Sequence, residues 1–436
     1  MTTNGSDRLW DRRAFCRTAA GLPLLFGPGS TFGQAPGGNS QSGGPSGPGT
    51  APEKPPLPHV GKEIARIPLA LARCVSFVPF NNRRFLVAAG NTVHCFDLST
   101  LEKPKEVWKK TSFPPPPHRD DHPKFPPFDA IYDLAWETSW ANNDRPRPYY
   151  WATAQTDHVV VWEFLTHPRL VEAAGGEEAR PLFSLAASAD IVRRPLRAVC
   201  FAPPDDRYIC GASADKTVYV WDRTTRKMVY ALGGHTHEVH ALAASPNGQI
   251  LASGSAVGEI ILWNLPEGKQ LRAMEIPIPG KRKVVPRVSR LLFWEKNKLI
   301  AAVRDYPAIH VWNVTTGKQL QVLEAPEVPQ KDPPLPWVVP FRVVPERGFT
   351  CLARCGRYLI AGEHRFRGYP NPNSQRPVVE NLPSTIFVWD LESGKAAGIL
   401  FGHASSIQSI TVSPDGRYLL STDGQDIRLW ELNLPR

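Results

Sequence analysis

The chain has 436 residues, 42% of them hydrophobic, and a formal net charge of +10. That apolar content is enough for one large core or several smaller ones. No apolar run approaches the ~20 residues of a membrane-spanning helix, which argues against a transmembrane protein. The positive charge permits acidic proteins, anionic polymers or a membrane surface as partners without selecting among them.

Residues 1–35 differ in composition from the rest of the chain. Two adjacent arginines, Arg12 and Arg13, precede a short apolar segment, and small residues follow it. This order resembles a twin-arginine export signal, although Asp11 and Cys16 depart from that pattern. The alternative is a disordered tail with a chance pair of arginines. The first interpretation predicts a periplasmic or other extracytoplasmic location, and the second permits a cytoplasmic one.

Residues 36–58 are almost entirely glycine, proline, serine and a few polar residues. Such a segment cannot bury enough apolar surface to offset its conformational entropy, so we expect a disordered linker. Residues 59–436 then form the folded part of the chain.

Throughout the folded part, tryptophan recurs directly before an acidic or amide residue. Each pair ends a stretch of apolar or alternating residues, which is typical of a buried β-strand. A repeated unit this small cannot bury its own apolar face and must stack on its neighbours. The pairs are Trp162-Glu163, Trp221-Asp222, Trp263-Asn264, Trp312-Asn313, Trp389-Asp390 and Trp430-Glu431, with a weaker Phe96-Asp97 before them.

The third repeat displays the pattern of one unit. Two predicted strands, Arg197–Phe201 and Arg207–Ser213, precede a third one, Thr217–Asp222. In other repeats a glycine-lysine turn, as at Gly317-Lys318, leads into a fourth strand. Together these motifs resemble the WD-repeat β-propeller family from Val60 to the C-terminus. The resemblance implies an all-β fold, a seven-bladed propeller of four-stranded antiparallel sheets.

The two ends of the chain complete each other in this interpretation. Only five residues follow Trp430-Glu431, so the seventh sheet lacks an outer strand. Val60–Leu69 has the glycine-lysine turn and the alternation of such a strand, but no inner strands precede it. An unpaired sheet edge favours aggregation. We therefore expect Val60–Leu69 to pair with the strand that ends at Trp430 and to close the ring.

Unequal spacing between the tryptophan pairs indicates insertions, which we predict to be loops. Long loops on a rigid scaffold often carry function. The predicted insertions are Thr111–Asp129, Thr166–Pro195, Pro277–Pro286, Glu324–Arg347 and Glu363–Pro383.

In the WD-repeat family a histidine, a serine or threonine, an aspartate and the tryptophan form a buried, hydrogen-bonded tetrad. The resemblance assigns incomplete tetrads with a structural role to three repeats. In the fourth repeat Val257 stands at the aspartate position, and in the seventh Asp423 is displaced by one residue. We therefore expect apolar packing to hold the ring more than this polar network does. The assigned residues are Ser213, Asp215 and Trp221 in the third repeat, His235, Ser253 and Trp263 in the fourth, and His403, Ser421 and Trp430 in the seventh.

Two basic segments stand out, residues 281–283 and the stretch Arg365–Tyr369, where arginines alternate with aromatic residues. Such segments bind phosphates, polysaccharides or acidic protein segments, whereas a solvated loop explains each one taken singly. We expect them to enrich one face of the ring in positive charge, together with arginines near the starts of first strands. The latter are Arg73, Arg193, Arg194 and Arg197, whereas Arg287 and Arg290 lie near the basic segment 281–283.

The segment from His118 to His122 is the only cluster typical of a metal site, and the prolines on both sides forbid a regular helix there. We expect a solvated loop and no cofactor. The cysteines after residue 35 have no C-x-x-C spacing, which favours buried free thiols. Cys200 and Cys210 flank a predicted hairpin turn, so a disulfide between them is the alternative in an oxidising compartment.

These observations favour a non-catalytic, monomeric protein-interaction scaffold whose partners are other proteins, acidic surfaces among them, and not nucleic acid. One alternative is a propeller-fold hydrolase or lactonase-like enzyme with a metal in the channel, for which the first strands offer little beyond Asp133 and His240. The other is a cytosolic WD-repeat scaffold. By matching the repeats, the resemblance places five candidate partner-binding residues at the rim of the channel: Arg73, Tyr132, Arg197, His240 and Gln408.

Overall fold

Twenty-nine β-strands and one short α-helix make up the described part of the chain. The computed structural model describes residues 57–111, 130–138, 148–156, 158–187, 194–277, 285–328, 332–334, 346–371 and 374–435. The predicted signal (1–35), nearly all of the predicted linker (36–58) and the segment from His118 to His122 lie outside these residues.

The strands form seven antiparallel sheets, the blades of a propeller. Four consecutive strands build each of the first three blades. The first blade contains β2 (Ala72–Phe77), β3 (Arg84–Ala89), β4 (Thr92–Asp97) and β5 (Lys105–Thr111). The second contains β6 (Asp133–Trp136), β7 (Tyr149–Ala154), β8 (His158–Phe164) and β9 (Ala179–Ala186), with helix α1 (Pro168–Ala173) before β9. The third contains β10 (Leu196–Ala202), β11 (Tyr208–Ser213), β12 (Val218–Asp222) and β13 (Lys227–Leu232).

The next two blades repeat this plan, and the sixth carries an additional strand. The fourth blade contains β14 (Val239–Ala244), β15 (Ile250–Ser255), β16 (Glu259–Asn264) and β17 (Lys269–Glu275). The fifth contains β18 (Val288–Trp294), β19 (Lys298–Val303), β20 (Ala308–Asn313) and β21 (Gln319–Glu324). The sixth contains β22 (Glu346–Cys355), β23 (Tyr358–Asn371), β25 (Ser384–Asp390) and β26 (Ala396–His403), with β24 (Ser374–Asn381) paired to β23.

The seventh blade joins the two ends of the folded part. Its strands are β27 (Ser409–Val412), β28 (Tyr418–Thr422), β29 (Asp426–Leu432) and, as the outer strand, β1 (Gly61–Pro68). Strand β1 pairs antiparallel with β29, with Gly61 opposite Leu432 and Pro68 opposite Asp426. Ion pairs from Glu63 to Arg428 and from Arg66 to Asp426 reinforce this pairing. The structure therefore confirms the predicted seven-bladed, all-β propeller and contains the expected pairing between its first and last strands.

The first strands of the blades surround the axis of the ring. Each one contacts the first strands of the two neighbouring blades, from β2 through β6, β10, β14, β18 and β22 to β27 and back to β2. Because all of them run in the same direction through the ring, their starting residues gather at one end of the channel.

The tryptophans of the repeated pairs lie between neighbouring sheets. Trp221 of β12, only 2% exposed, belongs to an apolar cluster with Val161 of β8 and Ile209 of β11, and so joins the second blade to the third. Replacing such a buried aromatic residue with alanine typically costs about 3–5 kcal/mol. Apolar packing between blades is therefore a major source of stability.

The acidic or amide residue after the tryptophan closes the turn that follows the third strand. Asp222 Oδ1 accepts hydrogen bonds from the amides of Thr224 and Thr225, both at 2.9 Å. Asn313 Oδ1 accepts one from the amide of Thr316 at 2.8 Å. A short side-chain oxygen at this position satisfies amides that the turn would otherwise leave unpaired. This explains why the tryptophan is followed by such a residue.

Two insertions predicted as loops contain regular structure, so that prediction is wrong for them. Thr166–Pro195 includes α1 and β9, whose Pro181 is tolerated because β9 is an outer strand. In Glu363–Pro383, β23 continues past the blade and pairs with β24 as a two-stranded ribbon. Gly368 and the prolines of this segment interrupt the alternation that would have identified it as strand.

Candidate functional site

A cavity of about 190 Å³ lies at the end of the channel where the first strands begin. Residues from the first strand of every blade, or from the positions next to it, line this channel cavity. The structure brings together there all five candidate partner-binding residues: Arg73, Tyr132, Arg197, His240 and Gln408. They come from five different blades, so the closed ring is what places them side by side.

Tyr132 contacts two of the arginines at the mouth of the channel cavity. The guanidinium carbons of Arg73 and Arg197 lie 5.3 and 5.0 Å from the centre of its ring. Cation–π contacts at these distances orient a guanidinium group without neutralising its charge. Tyr132 therefore holds two positive charges close to each other.

Among the residues that the structure describes, five arginines and one aspartate are the charged residues of the cavity lining. The aspartate, Asp133, is only 4% exposed and pairs with Arg290, with 3.0 Å between Oδ1 and Nη1. The amide of Val199 donates to Asp133 Oδ2 at 3.1 Å. The charge of Asp133 raises the pKa of Arg290, although burial opposes it. This pair joins the second blade to the fifth across the channel.

Two further arginines that line the channel cavity have carboxylates nearby. Glu238 Oε2 lies 3.7 Å from Arg197 Nη2, and Asp305 Oδ2 lies 4.0 Å from Arg287 Nε. Sequence reasoning identified Arg287 as part of a basic segment but missed Arg304, which follows the second strand of the fifth blade. Burial and the neighbouring charge of Arg287 lower the pKa of Arg304, despite the opposing charge of Asp305.

Two histidines near this cluster respond to the same positive charge. Burial, followed by the charges of Arg197, Arg287 and Arg304, lowers the pKa of His240 to about 4. Burial and the charges of Arg304 and Arg287 lower the pKa of His364 to about 3. Both imidazoles are therefore neutral near pH 7, and the arginines supply the positive charge of the site.

The candidate tetrad residues of the fourth blade form one buried network. His235 Nε2 lies 2.6 Å from Ser253 Oγ, and the indole of Trp263 donates to the same oxygen at 2.8 Å. His235 Nδ1 lies 2.8 Å from Glu259 Oε2. Glu259, the first residue of β16, thus contacts the histidine in place of an aspartate at position 257. Sequence reasoning missed Glu259 because the carboxylate comes from a later position on a longer side chain.

A corresponding network joins the end of β26 in the sixth blade to the seventh blade. His403 Nε2 lies 2.7 Å from Ser421 Oγ, to which the Trp430 indole donates at 2.7 Å. Asp423 Oδ2 lies 3.3 Å from His403 Nδ1, so the one-residue displacement does not separate the two groups. Burial opposes charge on Asp423, but His403 and the amides of neighbouring residues outweigh it and hold the pKa of Asp423 below its usual value.

The backbone conformation explains why a glycine precedes each of these histidines. Gly234 and Gly402 have φ values of 149° and 147°, which residues with a side chain rarely adopt. At Gly402 an added Cβ would also lie 2.6 Å from Nη1 of Arg428 and 3.3 Å from the Trp430 ring. The Gly-His pair therefore allows the histidine to lie close to the next tryptophan of the repeated pairs along the chain, Trp263 or Trp430.

The three candidate residues of the third blade do not form such a network. The indole of Trp221 donates to the carbonyl of Ala186 at 3.1 Å rather than to Ser213. Ser213 Oγ accepts a hydrogen bond from the amide of Asp215 at 3.1 Å, and Asp215 also accepts one from the hydroxyl of Tyr219. Without a histidine in this blade, Ser213 and Asp215 shape the turn before β12.

Three segments of the chain match the WD domain, G-beta repeat family: residues 182–222, 226–264 and 394–431. These three segments of the β-propeller are therefore similar to WD repeats. Each matched segment begins in or just before the outer strand of one blade and ends at the third strand of the next. A WD repeat of this chain therefore spans two blades, and the seventh blade receives its outer strand from β1.

Curated WD-repeat relatives match only part of the chain. Small ribosomal subunit protein RACK1y of Oryza sativa subsp. japonica is 41% identical over 78 residues, 18% of this chain and 23% of the relative. WD repeat and SOCS box-containing protein 1 of Takifugu rubripes is 36% identical over 85 residues, 19% of each chain. The U5 small nuclear ribonucleoprotein 40 kDa protein of Homo sapiens is 40% identical over 57 residues, 13% of this chain and 16% of the relative. The matched stretches thus span less than a quarter of each relative.

The basic segments of the chain have different environments. Arg73, Arg197, Arg287 and Arg290 line the channel cavity. In the sixth blade Arg365 pairs with Asp332 at 2.9 Å, and Arg367 pairs with Glu380 at 2.7 Å, so local carboxylates balance these charges. Residues 281–283 and Arg193 lie outside the described residues.

Across the residues that the structure describes, no three histidine, cysteine, aspartate or glutamate side chains converge to hold a metal ion. Within the same residues, no helix is long and apolar enough to cross a membrane. All six cysteines of the described part are free thiols, and Cys200 stands directly opposite Cys210 in the β10–β11 pair.

Proposed function

We propose that the chain is a non-catalytic protein-interaction scaffold that contacts its partners at the mouth of the channel cavity. The observation that carries this proposal is the convergence of Arg73, Tyr132, Arg197, His240 and Gln408, from five blades, on one cavity. The similarity to WD-repeat proteins whose names place them in a ribosomal subunit and a ribonucleoprotein supports an assembly role.

The rigidity of the ring supports the same function. Each first strand is bonded within its own blade and packed against two neighbouring first strands. Residues held in this way lose little conformational entropy when a partner binds, so more of the contact energy contributes to affinity. Gln408 and Arg73 are exposed at the mouth and are accessible to a partner.

The lining of the channel cavity favours binding over catalysis. A hydrolase or lactonase-like enzyme with a channel metal requires several carboxylates or histidines that converge on the ion. Among the described residues of the lining, only Asp133 and His240 are of these types, and Asp133 already pairs with Arg290. Measurement of metal in the purified protein tests this alternative, since one bound ion per chain favours the enzyme.

We further propose that the scaffold acts outside the cytoplasm, on the basis of the resemblance of residues 1–35 to a twin-arginine signal. A cytosolic scaffold is the alternative. Fractionation of cells that express the tagged chain, beside a variant with Arg12 and Arg13 replaced by lysine, tests the location. Retention of the wild-type chain in the cytoplasm contradicts export.

Adding bulk at the mouth of the channel cavity tests the interaction role without changing its charge. Gln408→Trp places a large side chain at the mouth, while Arg83→Trp places one at the opposite end of the first blade. We expect partners captured by the wild-type chain to be lost with Gln408→Trp and kept with Arg83→Trp. Equal capture by all three proteins contradicts the proposed surface. Deletion of residues 363–383 separately tests the ribbon of the sixth blade.

A further inference from the structure

The channel cavity holds more positive charge than its own carboxylates balance. Within the described part of the chain, no carboxylate lies within salt-bridge distance of Arg73 or Arg304, and Asp133 is already paired with Arg290. The Nε atoms of Arg197 and Arg287 are shielded from solvent and have no hydrogen-bond acceptor there. Buried N–H groups in proteins usually donate a hydrogen bond. These two Nε atoms therefore favour a hydrogen-bond acceptor that the described residues do not supply.

The two histidines of the site experience the positive charge of the same arginines. The pKa values of His240 and His364 are both lowered, first by burial and then by two or three of the same arginines. Glu238 lies 3.5 Å from His240, but its side chain is 46% exposed and water screens its charge. A negative group that enters the channel cavity therefore meets a positive potential.

Glu238 indicates which kind of anion the mouth accepts. Its carboxylate oxygen lies 3.7 Å from Arg197 and 3.5 Å from the imidazole of His240. The planar guanidinium group matches a carboxylate in shape and donates two parallel hydrogen bonds to it. A carboxylate side chain thus already occupies the edge of the site, in contact with two of the candidate partner-binding residues.

The size of the channel cavity limits what enters it. Its volume of about 190 Å³ corresponds to roughly six water molecules, at ~30 Å³ of liquid volume each. One acidic side chain fits in this space, whereas a folded element does not. The remainder of a partner chain would lie across the mouth, against Tyr132 and Gln408.

We propose that the channel cavity binds the carboxylate side chain of an acidic peptide segment, held by Arg73, Arg197, Arg287 and Arg304. This inference rests on the proposed scaffold function and specifies the chemistry of the partner. Arg290 does not bind the incoming carboxylate because it already forms an ion pair with Asp133. Glu238 competes with the incoming carboxylate for Arg197.

Fluorescence anisotropy with a labelled hexaglutamate peptide tests the proposal on the full chain. We expect saturable binding at low salt, weaker binding at high salt because ions screen the charges, and no binding of hexaglutamine. Arg73→Gln and Arg304→Gln should each weaken binding at least about tenfold, since each removes one positive charge from the site. Arg83→Gln removes a charge from the opposite end of the first blade and should leave the affinity unchanged.

Glu238→Gln supplies a test in the other direction. Removal of the competing carboxylate should tighten hexaglutamate binding several-fold, which a misfolded variant would not do. Circular dichroism and thermal unfolding identify any arginine variant that fails to fold.

Failure of hexaglutamate to bind overturns the inference, and so does either of two other results. One is hexaglutamate binding that Arg83→Gln weakens as much as Arg304→Gln does, because the charge of the whole surface then explains it. The other is binding of a phosphoserine peptide, or of inorganic phosphate, without binding of hexaglutamate. If hexaglutamate fails to bind while Gln408→Trp still abolishes partner capture, the scaffold function stands and only the acidic-peptide chemistry fails. If both fail, the proposed surface is wrong.

Discussion

Asp133 of the second blade and Arg290 of the fifth form an ion pair across the channel, 3.0 Å apart. They are 157 positions apart in the chain, and no feature of the local sequence connects them. Each belongs to a first strand, so the closed ring alone brings them together.

Asp133→Asn should destabilise the propeller because it leaves the positive charge of Arg290 without its partner. Loss of one partner of a fully buried pair costs about 3–5 kcal/mol. The side chain of Arg290 is 38% exposed, so solvent screening reduces this cost, and we expect the free energy of unfolding in urea to fall by about 1–3 kcal/mol. The double variant Asp133→Asn with Arg290→Met should recover most of this loss. No recovery would show that the damage comes from the Val199 contact instead.

Ser253→Ala should destabilise the fourth blade by about 1–3 kcal/mol, since it leaves polar groups of His235 and Trp263 buried without their partner. Ser213→Ala is the matched control, because Trp221 in the third blade bonds the Ala186 carbonyl instead. Ser213→Ala should lower the free energy of unfolding by clearly less than Ser253→Ala does. Chemical denaturation of the two variants measures the difference, and equal costs would contradict a special role for the network.

The channel histidine should make the protein less stable in mild acid. An unfolded histidine titrates near pH 6.5, whereas burial and the arginine charges lower the pKa of His240 to about 4 in the folded state. Between these values the unfolded state binds more protons, so stability falls as the pH drops from about 6.5 to about 4. His240→Gln should remove this contribution, on the order of 1–3 kcal/mol. The difference in free energy of unfolding between the wild type and the variant should therefore change across this pH window. A constant difference would contradict the lowered pKa of His240.

Deletion of residues 57–69 should expose the edge of β29 and remove two ion pairs of the seventh blade. We expect a lower melting temperature and aggregation on heating, because an unpaired strand edge recruits other chains. Light scattering during a thermal ramp measures both effects. The control is a chain that begins at Leu57, which retains β1 and should behave like the full-length protein.

The cysteines of the channel cavity should be unreactive despite their position. Burial raises the pKa of Cys74 to about 12 and that of Cys351 to about 11, so almost no thiolate forms near pH 8. Mass spectrometry after a short treatment with iodoacetamide should find both unmodified in the native protein and alkylated in urea. Fast modification of either one in the native state would contradict the structure.

Much of the architecture could be predicted because the repeat determines it. The Trp221-Asp222 pair and its counterparts identify third strands, since each joins an interblade core residue to a turn-closing side chain. The pairing of Val60–Leu69 with the last blade followed from counting strands. The five cavity residues followed from matching positions across repeats.

The parts that could not be predicted depend on contacts between distant residues. Arg304 enters the channel cavity from the end of a second strand, where no motif marks it. Glu259 reaches His235 from two positions beyond Val257, which occupies the aspartate position of the family pattern. The ribbon of β23 and β24 could not be recognised in the sequence because Gly368 and nearby prolines interrupt the alternation of apolar and polar residues. Side-chain length and strand twist decide these contacts, and neither follows a fixed spacing.

The pairing of β1 with β29 also sets an order of events during synthesis. Arg66 and Asp426, partners in the finished seventh blade, are separated by 360 positions. At about 5–20 residues per second, a ribosome needs on the order of tens of seconds to add the intervening chain. The first strand of the propeller to be made is therefore the last to find its partner. Until then its apolar side chains are available to chaperones and to neighbouring nascent chains.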